Sequence, residues 1–429
     1  MNLWELLTST AVQDFIKESI KKKMDALQIS TALNKAGYSN EERAAIMDYA
    51  ALVAKFREKF SSKDDNTFLL CDKLALEQST AQDIGRWKAN LWKKLHERFQ
   101  NNSRVHDLCC GMGGDSFYLP ECFKVTGVDL DENRLAMYAY NIPTMRKGCT
   151  GNVLQADVRE IAKQNCADYF TIDPARRAIE GENQRDLRNL TPAFEEVIEI
   201  SKHYKGGMVK LPPGYPTDEI PSNTELVYLG SHSDCRELLV LFGNLAEYPG
   251  RVRAVMVNAT GETVAEWAGN LNEIQSTSNR NAEKDLPGCE RSFRNATSDT
   301  DLPVGEMTNY ISEPTALLIR SHLFASVAKN IDAGAHLISE GIAYVASDGP
   351  LPSPGFASFE ILDKTEIATS SVRKMLKSHD IGKITLKLRG VKLDPDAEIK
   401  RLKPKGKNSA ILFYTRAAGE KIAILTKRV

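Results

Sequence analysis

The chain contains no run of about 18 apolar residues, so no conventional membrane-spanning helix is expected. The start, Met1-Asn2-Leu3-Trp4-Glu5-Leu6-Leu7, lacks the basic stretch and apolar core of a signal peptide. No membrane partner and a cytoplasmic location are therefore expected. None of the 8 cysteines falls in a CxxC pair, and no Cys/His cluster has zinc-ligand spacing. Scattered reduced thiols, and no metal site, are the expectation. No internal repeat is visible, which argues against a solenoid.

A length of 429 residues is too great for one hydrophobic core and implies two to four modules. A net charge of −1 conceals an asymmetry. From Arg373 to Val429 there are 16 Lys and Arg against 5 Asp and Glu, a net of +11, which leaves −12 on the rest. Such a basic end suits a polyanion partner, or else is a solvated face with none.

Apolar residues recur at helical spacing through residues 1–60, and Ser39 with Glu42 forms a capping-box pattern before a helix to Phe60. A small helical domain over 1–75 is expected. Residues 75–99 read as one further helix. From 104 to about 245, short apolar runs alternate with helical stretches such as Glu132–Tyr140 and Thr191–Tyr204, the pattern of βαβ units around a largely parallel sheet. This α/β domain is placed at 76–250. Connecting strands, a polar linker over 270–303 and a helix at Leu317–Asn330 occupy 251–357. A basic α+β module occupies 358–429.

The run Val105–Cys109 passes directly into Gly111-Met112-Gly113-Gly114. Glycines at this point allow positive φ and close approach of backbone to a ligand, and a following helix would offer free N–H groups. Acids then close the next three strands. Asp129, 18 residues after Gly111, can accept from ribose hydroxyls; Asp157 can accept from an adenine amino group; Asp173-Pro174 stands at the carboxyl edge, where doubly wound sheets perform their chemistry. A dinucleotide dehydrogenase shares the first acid. It requires a third glycine where Ser116 stands, and it leaves Asp157 and Asp173 unexplained. S-adenosylmethionine (SAM) is the better-fitting cofactor.

The segments DLCCGMGGD, GVDLDENRLAMYAYN, LQADV and TIDPARR resemble bacterial class I SAM-dependent methyltransferases that carry a C-terminal THUMP-like domain. The resemblance covers nearly the whole chain. It implies a Rossmann-like methyltransferase domain, a helical N-terminal segment, and small ferredoxin-like and THUMP-like domains. The glycine loop is also similar to that of the trimethylguanosine synthase group. By resemblance, Asp107, Cys109, Gly111, Gly113 and Gly114 would line the methionine and ribose, with Asp129 on the ribose and Asp157 on the adenine. Glu77-Gln78-Ser79-Thr80 looks like the family's EQ[AS]T motif. Gln78 and Thr80 would then pack over the methionine end; the alternative is a plain helix cap.

For transfer to an exocyclic amine, Asp173 is the candidate acceptor of the amine's hydrogen bond, with Pro174 shaping its turn. The usual Asp/Asn-Pro-Pro-aromatic signature is replaced here by Asp173-Pro174-Ala175-Arg176-Arg177. Arg176 and Arg177 could meet phosphate or stack on a base, or pair with Glu180 or Glu182. Lys210 and Tyr215 should border the same pocket, and Tyr215 is a candidate for the missing stacking ring. Because THUMP domains are associated with RNA binding, the resemblance implies methylation of a base in structured tRNA or rRNA. A non-catalytic SAM- and RNA-binding protein, a DNA methyltransferase and a small-molecule methyltransferase are the alternatives.

Overall fold

The computed structural model describes residues 3–60, 68–99, 103–176, 187–275 and 302–429. Most of the expected linker, 276–301, lies outside them, as does Arg177. The chain divides into two compact units. The first comprises Met1–Tyr215, Glu237–Pro249 and Val257–Val264, and the second Pro216–Arg236, Gly250–Met256 and Ala265–Val429.

In the first unit the N-terminal helices are α1 (Leu3–Thr8), α2 (Thr10–Lys21), α3 (Ala26–Lys35) and α4 (Asn40–Lys59). Ser39 caps α4 as its pattern predicts: its hydroxyl accepts from the Glu42 N–H, and Glu42 accepts from the Ser39 N–H. These helices do not build a separate core. Val12, Ile16, Ile46, Val53 and Phe56 belong to one apolar cluster with Cys110, Met112, Phe117, Tyr138 and Ile142 of the α/β part. Few helices of this length can bury enough apolar area alone, and here they share that burial with residues of the glycine loop and α7.

The expected helix over 75–99 is two, α5 (Lys73–Gln78) and α6 (Gln82–Phe99). The chain turns extended at Ser79, whose N–H closes α5 on the Ala75 carbonyl. Then follow β1 (Arg104–Leu108), β2 (Lys124–Asp129), α7 (Glu132–Met145), β3 (Asn152–Gln155), α8 (Val158–Ala162) and β4 (Tyr169–Ile172). A short pair, β5 (Ala175–Arg176) and β6 (Leu190–Thr191), precedes α9 (Phe194–Ser201) and β7 (Gly206–Leu211). The predicted helix from Thr191 thus starts three residues late, because Thr191 is committed to β6.

Strands β3, β2, β1, β4 and β7 pair in that order, all parallel. β9 (Cys235–Gly243) adds to β7 antiparallel, with Lys210 opposite Leu239. Between β1 and β4 the winding direction reverses. The carboxyl ends of these two strands are the topological switch point at which doubly wound sheets hold ligands.

In the second unit β8 (Glu225–Gly230) pairs parallel with β10 (Arg251–Val257). β11 (Thr263–Asn270) follows β10 after a turn in which the Asn258 N–H donates to the Glu262 carbonyl. The expected helix at Leu317–Asn330 is α10 (Ala316–Arg320) and α11 (Phe324–Ile331). His322, at φ +59, breaks it, since a left-handed residue cannot continue a right-handed helix.

A seven-stranded sheet completes the unit. Its strands are β12 (Tyr310–Pro314), β13 (His336–Leu337), β14 (Val345–Ser347), β15 (Phe356–Glu366), β16 (Ile381–Leu388), β17 (Asn408–Ala417) and β18 (Glu420–Arg428), in the order β13-β14-β12-β15-β18-β17-β16. All pairings are antiparallel except β16 with β17. Two helices, α12 (Thr369–Ser378) and α13 (Pro395–Leu402), bury Val372, Met375, Leu376 and Leu402 in one cluster with Leu412, Tyr414 and Leu425 of the sheet.

Candidate active site

The glycine loop departs from ordinary backbone at three alternate positions. Cys109, Gly111 and Gly113 have φ of +56°, +52° and +95°. Space beside Gly111 is open: a Cβ built there meets nothing within 4 Å. Gly114 is different, for a Cβ would lie 3.1 Å from the Ser79 Cβ and 3.2 Å from the Thr80 nitrogen. Its lack of a side chain lets the α5–α6 break lie against the loop.

No full helix follows the loop. A single 3-10 turn, Ser116–Tyr118, ends at Leu119, which is extended ahead of Pro120. The residue before a proline is driven out of helical conformation, and this stops the expected helix.

Asp107, next to the last residue of β1, is 4% exposed. Ser116 donates to it at 2.6 Å, and Tyr138 donates to Ser116 at 2.9 Å. Burial, with the Asp115 charge adding, pushes its carboxyl well above the usual range. Asp129 is half-buried at the end of β2. One oxygen accepts from the Gly111 N–H at 3.1 Å and the other from the Asp131 N–H at 3.1 Å. The acid therefore sits beside the loop, as its spacing predicts, with acceptor capacity to spare.

Asp157 is engaged more fully. It caps α8 through the Arg159 N–H and takes the Arg159 guanidinium on both oxygens, at 2.5–3.1 Å. Those hydrogen bonds hold its carboxyl below the usual range. Arg159 also reaches Glu196 at 3.0 Å.

Thr80 is 2% exposed, and its hydroxyl donates to Asp115 at 2.6 Å. Its side chain turns to the loop and does not cap α6. Gln78 is exposed, and its carbonyl accepts from Lys210 at 3.2 Å. Lys59 of α4 donates to the Leu76 and Glu77 carbonyls at 2.5 and 3.3 Å. Burial, with the nearby Lys210 charge, pulls the Lys59 amine down to about 8.

Asp173 follows β4 with its side chain 38% exposed, and Lys210 donates to its Oδ2 at 2.6 Å. Burial raises the Asp173 carboxyl, and Lys210 only partly opposes this. Pro174 is buried beside it. The structure does not bring Tyr215 to this place as a stacking face. It is 3% exposed, with its ring 5.3 Å from Phe194; an aromatic ring after Pro212-Pro213 is used for the core. Arg176 lies in β5, its backbone opposite Leu190 of β6.

Sequence reading missed Lys88 and Glu237. Lys88 of α6 is 3% exposed and lies 2.7 Å from both Asp115 and Glu237. Burial works against its charge, but Asp115 and Glu237 outweigh that and raise its pKa. Burial likewise opposes ionisation of Asp115, yet Lys88 and Lys210 hold its carboxyl below the usual range. The available signal was a lysine on the apolar face of α6, between Ile84 and Leu91. A charge is seldom buried without a partner, so this position announced one.

Residues 356–428 match the family described as THUMP domain-like. Two curated Mycobacterium tuberculosis proteins, from strains CDC 1551 / Oshkosh and ATCC 25618 / H37Rv, are 26% identical over 363 residues, covering 83% of this chain and 87% of theirs; each is described as an uncharacterized SAM-dependent methyltransferase. A solved structure from Porphyromonas gingivalis W83, described as a candidate methyltransferase, superimposes with a TM-score of 0.70 at 20% identity, covering 98% of this chain and 99% of that one. The fold is thus the Rossmann-like methyltransferase fold with small α+β C-terminal parts.

Proposed function

We propose that this protein is a SAM-dependent methyltransferase that modifies a base in structured RNA. The enzyme class and cofactor rest on the likeness to curated SAM-dependent methyltransferases along most of the chain. The observation that carries the site is the pairing of Asp129 with the Gly111 N–H at 3.1 Å, beside open space at Gly111 and at the topological switch point. A half-buried carboxylate beside a bare glycine loop suits a ribose diol. Asp107 and the loop from Cys109 to Gly114 would hold the methionine end. Asp157 would reach an adenine amino group once Arg159 swings towards Glu196.

When bound, SAM supplies an electrophilic methyl group. The chain's own part is to place a nucleophile about 3 Å from it and to manage the proton. Asp173 is suited to this: its free oxygen can accept a hydrogen bond from an exocyclic amine. Asp173, or water, would take the proton that the amine gives up on receiving the methyl group. A raised carboxyl pKa makes it a better base near neutrality.

Support for RNA comes from the THUMP-like match and the +11 tail. Phosphate contacts of this kind give salt-dependent binding with little base specificity. The test is transfer of labelled methyl from SAM to total bacterial RNA lacking this modification, with Asp173→Ala as control. Label in one RNA species, lost in the variant, supports the reading. SAM binding without RNA labelling refutes it, in favour of a small-molecule or non-catalytic role.

A further inference from the structure

Five charged side chains form an alternating run from the cofactor loop to the end of β4. Asp115 lies 2.7 Å from Lys88, Lys88 2.7 Å from Glu237, Glu237 3.8 Å from Lys210, and Lys210 2.6 Å from Asp173. The first four side chains are at most 15% exposed, while Asp173 is 38% exposed. They come from four separate places: the glycine loop, α6, β9 and β7.

Lys210 is held from three sides. It donates hydrogen bonds to Asp173 Oδ2 at 2.6 Å and to the Gln78 carbonyl at 3.2 Å, and Glu237 forms a longer ion pair with it at 3.8 Å. Asp173, by contrast, has one oxygen held and one unengaged: among the described residues, Oδ1 has no hydrogen-bond partner.

We propose that Lys210 is a positioning residue: braced by Glu237 and the Gln78 carbonyl, it aims the Asp173 carboxylate and keeps it ionised for methyl transfer. The proposal rests on the methyltransferase reading above and gives Lys210 a role distinct from the substrate contact expected of it from sequence. Four other groups face Asp173. Glu237 on β9 and Asp115 on the loop disfavour its charge, and its own charge in turn helps push up Asp107 and Cys109 at the end of β1. Lys210 is the cation that bears on it most strongly, since its ammonium donates directly to the carboxylate. The run also links the cofactor loop to the reacting end of the site, because Asp115 is anchored by Thr80 and Lys88 alike.

The experiment compares wild type, Lys210→Met and Lys210→Arg in labelled-methyl transfer to RNA across pH, with SAM affinity measured by calorimetry. Lys210→Met should lose about a hundredfold in kcat, with the acid limb of its pH profile moved upward. Its SAM dissociation constant should stay within about threefold of wild type, and Lys210→Arg should restore most of the rate. An unshifted acid limb, or SAM binding lost in step with kcat, overturns the proposal. A wild type that methylates nothing refutes the methyltransferase reading instead. Thermal melting then decides on Lys210. Its Met variant should lose more stability at about pH 8 than at about pH 5, because the Asp173 carboxyl, raised by burial, takes up a proton more readily at the lower pH. Adding Asp173→Asn should remove most of that difference; if it does not, Lys210 does not hold Asp173.

Discussion

The Thr80 hydroxyl donates to Asp115 at 2.6 Å and so fastens the break between α5 and α6 to the last residue of the glycine loop. Gly114 makes this approach possible. Thr80→Val removes a hydrogen bond to a buried charge, worth about 1.5–3 kcal/mol. SAM affinity should fall on the order of tenfold. Gly114→Ala should do the same by pushing Ser79 and Thr80 away. Calorimetric SAM titration of both variants checks this, and unchanged affinity in each would show that the break does not shape the cofactor site.

Asn141 of α7 is completely buried and joins two chain segments. Its amide donates to the Leu70 carbonyl at 2.8 Å and the Met112 carbonyl at 3.0 Å, and accepts from the Leu70 N–H at 2.7 Å. Asn141→Leu strands three buried backbone groups. A loss of about 3 kcal/mol is expected, read as a lower midpoint in urea. A loss below about 0.5 kcal/mol would mean that water takes over these bonds.

His106 is 5% exposed within β1, between Tyr204 at 2.8 Å and Cys166 at 3.5 Å. Burial, helped by Arg104, lowers its pKa to about 4. The unfolded chain then binds the proton more readily. Stability from keeping His106 neutral is complete above about pH 6.5 and is lost as pH falls towards 4. The total is about 3 kcal/mol. Acid unfolding of His106→Gln should show a shallower decline across that window, whatever its absolute stability.

Lys403, Lys405 and Lys407 are exposed just after α13. If the tail binds RNA phosphates, replacing all three by Ser should weaken binding similarly for unrelated sequences. The slope of log affinity against log salt should also flatten by up to about 2. Equal slopes for variant and wild type would place the RNA elsewhere.

Much of the fold could be read from local pattern. The apolar run Val105–Cys109 located β1 within a residue, and the capping box at Ser39 and Glu42 marked the start of α4. The errors came where a non-local partner overrode local preference. Thr191 was taken from its helix by pairing with Ala175. The helix over 75–99 broke because Ser79 and Thr80 are committed to the glycine loop.

The amino-acid sequence determined what depends on neighbours along the chain: the glycine loop, the acids that close successive strands, and the concentration of positive charge in the last residues. The tertiary structure alone decided which of these groups meet. Lys88 and Glu237 are separated by about 150 residues; the apolar face of α6 marks Lys88 as buried, but nothing local names Glu237 as its partner. They become partners because α6 and β9 bring them together in a place from which water is excluded, where a charge persists only beside its opposite. Tyr215 shows the converse. Its position after β7 suggested a stacking ring, and packing against Phe194 buried it, because apolar area is the first claim on an aromatic side chain.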